Sequence, residues 1–357
     1  MTHAVQAHID LAALAHNFRK VRELAPGRRV MAVIKANAYG HGIVRVARAL
    51  DQADALAVAR VDEAVQLREF GIGCPIVVLA GFFDAAELTQ VIAHELEIVV
   101  HHDYQVRLLE QASVKRPLPV WLKVDTGMHR LGLAPSQVSA CWRRLQACAG
   151  VGRVGVMTHL ASADEPGSDQ TRRQLALFDD VAAELNAPRS IANSAAIMKW
   201  PASLGDWVRP GVMLYGASPF SDAAGEEQGL KPVMTLHSRL IAVNRFRRGD
   251  AIGYGASWVC PEDMPVGVVA CGYGDGYPRH AAAGTPVLIN GRCAPLVGRV
   301  SMDTLCVDLR ADPQAQIGDQ ATLWGRGLAV ETVARHASTI AYELLCGVTG
   351  RVNVVSA

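Results

Sequence analysis

At 357 residues, half of them hydrophobic and only 19% charged, the chain can bury a large core and fill about two domains of ~150 residues. Its 35 basic residues nearly cancel its 34 acidic ones, for a net charge of +1, so neither nucleic acid nor an acidic membrane surface is an expected partner. No apolar run approaches the ~18 residues of a membrane span, and the start MTHAVQAHIDLAALAHNF lacks the basic-then-apolar layout of an export signal, so a cytoplasmic protein is expected. The eight cysteines show no CxxC spacing, which predicts reduced thiols rather than a metal or disulfide framework.

In chain order, short apolar runs at 30–34, 55–59, 76–80, 97–100, 119–124, 153–158, 189–192 and 206–209 alternate with amphipathic stretches such as 61–70, 85–95, 104–112, 136–147 and 170–185. The stretches repeat their apolar residues at three- and four-residue steps, the helical period. Continuous apolar strands separated by helices predict parallel pairing with both faces covered. Eight such units make an α/β fold, a (β/α)8 TIM-like barrel. The eighth strand is cut short by Pro210 and Gly211.

From residue 229 the pattern changes to valine- and leucine-rich segments punctuated by Gly, Pro and Asn-Gly, with a single helical stretch near 330–337. Asn290-Gly291 predicts a two-residue hairpin turn, since both positions tolerate positive φ. The expected organisation is therefore a barrel over 1–228 and a mainly antiparallel β C-terminal domain over 229–357. A linker is expected within 221–232, and residues 1–9 are expected to pair with the second domain.

Chemistry in such a barrel sits where the strands end. Strand one runs into KANAYGHG, strand five into KVDTGMHRLG, strand six into THLAS, strand seven into ANSAAIM and strand eight into VRPGVMLYG. A lysine directly after an apolar strand, Lys35, would be held partly neutral by burial, and a neutral amine is what condensation with an aldehyde cofactor requires. Tyr39, four residues on, shares that mouth. His101-His102-Asp103 could suggest a metal, but neighbouring side chains in a strand point to opposite faces, so no metal site is expected.

VMAVIKANAYGHG closely resembles the cofactor-lysine motif of alanine racemases. The resemblance continues in family order through IDLAALAHNF, KVDTGMHRLG, THLASAD, NSAA, VRPGVMLYG, IGYGASW, GYGDGY, VGRVSMD and AYELLCGVTGRV. It implies a fold of β/α barrel plus β domain, pyridoxal 5'-phosphate as cofactor, and interconversion of L- and D-alanine by two bases on opposite faces of the α-carbon. Lys35 would carry the cofactor and handle the proton of the D-enantiomer. Tyr254, reaching in from the partner subunit of a homodimer with shared sites, would handle that of the L-enantiomer. A phenol ordinarily titrates near ~10, so a tyrosine base needs cationic neighbours.

The resemblance also implies that Arg209 contacts the pyridine nitrogen of the cofactor, supported by His159. Tyr39, Ser194, Gly211, Val212 and Tyr342 would contact its phosphate. Arg130 and the Met302 amide would hold the substrate carboxylate, and Lys123 matches a lysine often carbamylated in the family. Tyr273, Arg279 and Asp164 would line a narrow access passage. A racemase of broader specificity, a non-catalytic cofactor-binding barrel and a related decarboxylase remain alternatives. The choice between D-alanine supply for peptidoglycan and alanine catabolism stays open.

Overall fold

The computed structural model describes residues 4–356. A short strand, β1 (Gln6–Ile9), and a helix, Leu11–Leu24, open the chain. Eight parallel strands follow and close on themselves: β2 (Arg29–Val33), β3 (Ala55–Val58), β4 (Ile76–Val78), β5 (Glu97–Val100), β6 (Leu118–Lys123), β7 (Val151–Met157), β8 (Arg189–Ser190) and β9 (Trp207–Val208). The β/α barrel expected from the apolar runs is the fold observed. Helices Val61–Glu69, Ala85–Ala93, Asp103–Gln111, Pro135–Ala147 and Gln170–Ala182 lie between the strands, together with two shorter ones, Ile43–Ala49 and Ser194–Lys199. The last two strands are only two residues long. Pro210, which lacks an N–H, follows closely on β9, and its carbonyl instead accepts from the Val33 amide at 2.9 Å.

Near the N-terminal ends of the strands the barrel is plugged by two tryptophans and an ion pair. Trp121 and Trp207 meet edge to face at 5.8 Å. The indole of Trp121 donates to Glu97 Oε2 at 3.1 Å, and Arg153 Nη2 reaches Glu97 Oε1 at 2.9 Å. The Arg153 guanidinium also lies over both indoles. Room for Trp121 exists because residue 155 is glycine: a Cβ there would stand 2.5 Å from the indole. The buried Glu97 carboxylate is tolerated because it is paired and hydrogen-bonded, while Arg153 keeps contact with solvent.

The second unit comprises residues 4–17, 39–41 and 215–356. Its main strands are β10 (Met234–Phe246), β11 (Ala251–Ile252), β12 (Trp258–Val259), β13 (Met264–Val269), β14 (Pro286–Ile289), β15 (Arg292–Val297), β16 (Leu305–Asp308), β17 (Gln320–Trp324) and β18 (Asn353–Ser356). The large sheet runs β13-β16-β15-β14-β17-β10-β1-β18, with β10 also pairing β13 and the small hairpin β11-β12 apart from it. All pairs are antiparallel except β1–β18. The β14–β15 turn is Asn290-Gly291, at φ 49° and 81°. Beside the helix Val330–His336 there is another, Ala341–Cys346, which six residues are too few to reveal as a period.

The stretch 221–232, expected as a linker, lies inside this unit. Glu331 Oε1 accepts from the amides of Ser218 (2.6 Å) and Gly225 (2.9 Å), tying the preceding chain down. Among the described residues no helix is long and apolar enough to cross a membrane.

Candidate active site

Two residues beyond β2 the chain reaches Lys35 and then turns the unusual way. Ala36, Asn37, Ala38 and Tyr39 have φ of 53°, 52°, 54° and 51°, a left-handed turn of four residues without a glycine. Such a conformation costs L-residues about 1–2 kcal/mol each, so the surroundings must hold it. The Ala38 amide donates to Ile34 O (2.9 Å), and Asn37 takes the amide of Gly42 on its carbonyl and that of Ile43 on Oδ1, both at 2.9 Å. The Ala36 amide donates to Glu63 Oε1 at 2.6 Å. The other oxygen of Glu63 accepts from Ala59 (2.8 Å) and Arg60 (3.2 Å), just past β3.

The ends of the other strands deliver positive charge. Lys123 is the last residue of β6; burial, then Arg209, Arg130 and Lys35, push its ammonium down to about 8. His159, two residues past β7, is held well below the usual imidazole range by burial and by the same cations together with Lys123. Arg209, after β9, is only 5% exposed, yet among the described residues all its hydrogen bonds go to neutral groups. These are Ser190 Oγ (2.7 Å), Thr158 O (2.5 Å), Ile191 O (3.1 Å) and His159 Nδ1 (3.4 Å). Burial lowers it to about 10, so it stays charged at neutral pH. The nearby Asp125 opposes the lowering of Lys123 less than burial and the three cations promote it, and it also accepts from the amides of Gly127 and His129 in its own turn.

A buried polar network braces this mouth from behind. Gln174, fully buried on its helix, donates to His159 O (3.0 Å) and Thr126 Oγ1 (3.2 Å) and accepts from the Ala161 amide (2.8 Å). Thr126 and Thr158 share a 2.8 Å hydroxyl contact. Ser194 Oγ takes the amides of Gly211 (2.8 Å) and Met213 (3.4 Å), joining the loops past β8 and β9; Gly211 and Val212 are buried there.

In the β-rich unit the Tyr39 ring stacks on Tyr215 at 4.7 Å and tilts against Tyr342 at 6.0 Å. Burial, then Tyr342 and Cys346, raise the Tyr39 phenol above its ordinary range. The Tyr273 loop is strapped to the Met302 loop through Tyr273 N to Ser301 O (3.0 Å) and Gly274 N to Met302 O (2.8 Å). Tyr254 and Met302 are 66% and 52% exposed, unusual for such large side chains. The Arg299 guanidinium packs over Gly255, the residue after Tyr254. Asp164 and Arg279 are exposed.

The structure thus gathers Lys35, Lys123, Arg130, His159 and Arg209, and pairs Ser194 with Gly211, Tyr39 with Tyr342, and the Tyr273 loop with the Met302 loop. Sequence reasoning did not single out Glu63, Ser190 or Gln174. The adjacent histidines serve separate local tasks: His101 Nε2 contacts Ala80 O at 3.1 Å, and His102 Nδ1 accepts from the Tyr104 amide at 3.3 Å. Among the described residues no group of three or more His, Cys, Asp or Glu is placed to hold a metal ion.

The donor set fits an anionic, ring-nitrogen-bearing aldehyde cofactor. An amine at a strand end, a buried arginine that among the described residues bonds only neutral groups, and a cluster of further cations all call for negative charge and acceptor atoms.

Comparison with known proteins agrees along the whole chain. Residues 9–219 match the family "Alanine racemase, N-terminal domain", and 233–356 match "Alanine racemase, C-terminal domain". An alanine racemase of Nitrosococcus oceani is 58% identical over 348 residues, 97% of this chain and 98% of that one. One from Coxiella burnetii is 49% identical over 98% of both chains. Among solved structures, the biosynthetic alanine racemase of Pseudomonas aeruginosa superposes with a TM-score of 0.97 at 44% identity, with both chains fully covered. That of Acinetobacter baumannii gives 0.94 at 36%, again over the full length of both.

Proposed function

The chain belongs to the alanine racemase family, and from that premise we propose that it interconverts L- and D-alanine with pyridoxal 5'-phosphate, Lys35 and Tyr254 serving as the two bases. The observation that carries the reading is the cation cluster around Lys35, with Arg209 buried among neutral partners. When bound, the cofactor supplies the electron sink that makes an amino acid's α-proton removable. Lys35 would hold it through Nζ, Arg209 would face its ring nitrogen, and Tyr39, Ser194, Gly211, Val212 and Tyr342 would hold its phosphate.

Each protein group then has a defined task. Lys35 Nζ takes or returns the proton on the face of the D-enantiomer, and the Tyr254 hydroxyl does so on the opposite face. His159, neutral because of burial and its cationic neighbours, accepts from Arg209 without adding charge. Arg130 and the Met302 amide orient the substrate carboxylate, the arginine by its two-pronged geometry. Tyr273, Arg279 and Asp164 narrow the access passage, which favours a methyl side chain over larger ones. The exposure of Tyr254 and Met302 supports a homodimer in which each subunit completes its partner's site. Eight free thiols suit a reducing, cytoplasmic setting. The test is circular dichroism of L-alanine, L-serine and larger L-amino acids incubated with purified protein; inversion of alanine well ahead of the others supports the reading, and no inversion of alanine overturns it.

Arg209 keeps its proton at neutral pH, so it would give the cofactor's ring nitrogen a hydrogen bond but not a proton. That arrangement would limit delocalisation into the ring and so suppress transamination. In Arg209→Glu, racemisation is expected to fall about 10²-fold, the scale on which a lost donor at a reacting centre acts, while pyruvate formation per turnover rises. An unchanged ratio of the two products sinks the idea.

Lys123 carries a pH signature. Its folded-state value of about 8 lies below the ordinary 10.5, so between those values the unfolded chain binds more protons than the folded one. Its contribution to stability therefore rises with pH across that window and is lost below it. A neutral amine there also adds carbon dioxide, and the resulting carbamate would offset the surrounding cations and orient Arg130. Labelled bicarbonate at mildly alkaline pH should give a carbamate carbon resonance that disappears in Lys123→Ala; a spectrum without that resonance rules the modification out.

A further inference from the structure

We propose that Glu63 is the positioning residue for Lys35: by holding the Ala36 amide it keeps the left-handed turn 36–39 wound and so fixes where the lysine amine stands. The inference rests on reading Lys35 as the cofactor-bearing base. Four successive L-residues in this conformation relax unless restrained. Directly after the lysine, a 2.6 Å bond runs from the Ala36 amide to Glu63 Oε1. It is charge-assisted, and such bonds are roughly twice as strong as neutral ones. Glu63 is itself anchored, in the first turn of the helix Val61–Glu69, with Oε2 receiving the Ala59 and Arg60 amides. One carboxylate thereby joins the chain beyond β2 to the chain beyond β3.

The rival account is that Glu63 merely caps its helix, which is the work of Oε2 alone. Arg60 allows the two to be separated, because it stands before the helix with extended backbone (φ −128°, ψ 161°). An aspartate there caps the helix without help from Glu63. In Glu63→Gln either the Ala36 amide or both the Ala59 and Arg60 amides are left facing an NH2 group, according to how the side chain turns, and capping by an aspartate at 60 does not replace the bond to Ala36.

The experiment compares the cofactor-loaded wild type with Glu63→Gln, Arg60→Asp and the double variant. The readouts are kcat and KM for both enantiomers, the pH titration of the bound cofactor's visible band, hydrogen exchange of segment 34–39, and melting temperature. Glu63→Gln is expected to lose about 10²-fold in kcat with KM little changed, the effect of a small misplacement of a reacting group. Exchange of the segment should rise at least ~10-fold as the turn opens locally, and the band's midpoint should move. The double variant should recover melting temperature but neither kcat nor slow exchange. Recovery of kcat by Arg60→Asp, or wild-type kcat and exchange in Glu63→Gln, overturns the proposal. Should borohydride fail to trap the cofactor on Lys35 in the wild type, the functional reading fails, whereas the exchange result still decides whether Glu63 holds the turn.

Discussion

Lys35→Ala is expected to fold, to lose the visible absorption of bound cofactor, and to racemise alanine at least ~10⁴-fold more slowly than wild type. On the proposed mechanism two roles vanish together in this variant. The covalent hold on the cofactor would be lost, and so would the base for one face of the α-carbon, a contribution worth about 10²–10⁴-fold on its own. The fold should survive because Lys35 lies beyond β2 and the turn after it is held through backbone amides and the Glu63 and Asn37 side chains. The measurement is racemisation by circular dichroism alongside absorption, before and after adding methylamine as a replacement amine. Retention of more than a few per cent of turnover would remove Lys35 from the mechanism.

Tyr254→Phe should behave differently. The cofactor should remain on Lys35, so absorption should persist while racemisation falls by about 10²–10⁴-fold. In deuterated water the variant should still exchange the α-hydrogen of D-alanine but leave that of L-alanine in place, because the base for one face survives. Mixing subunits tests where the tyrosine acts. If it serves the partner's site, Lys35→Ala and Tyr254→Phe subunits complement: half the dimers are mixed, each with one intact site, restoring about a quarter of wild-type activity. Mixtures without recovered activity argue that the tyrosine serves its own subunit, and wild-type exchange of L-alanine would dismiss it as a base.

Much of the barrel was legible because a parallel strand covered on both faces has to be apolar throughout, as Ala55–Val58 and Ile76–Val78 are. The short β8 and β9 were harder to bound, since two paired residues carry almost no pattern. The turn after Lys35 was invisible. Ala36, Asn37 and Ala38 contain no glycine to announce positive φ, and the conformation is imposed from elsewhere in the chain, partly by a glutamate 27 residues away. Glu63 in turn reads as an ordinary surface helix residue, because the pattern that flags a capping glutamate wants Ser or Thr three residues earlier and Arg60 stands there. Gln174 is hidden in the same way among the polar residues of QTRRQ. The roles assigned to Arg209 and Tyr254 came from family resemblance; as isolated residues, an arginine before proline and a tyrosine between glycines carry no chemical signature.

The tryptophan and ion-pair plug of the barrel has a bearing on traffic. With Trp121, Trp207, Glu97 and Arg153 packed together toward one end, reactant and product are expected to share the opening at the other. Reactant and product here are mirror images of equal energy, so neither is pulled out by the equilibrium. Each therefore competes with the other for the same site, and the net rate at which one hand is made should fade as that hand accumulates, well before the pool is depleted.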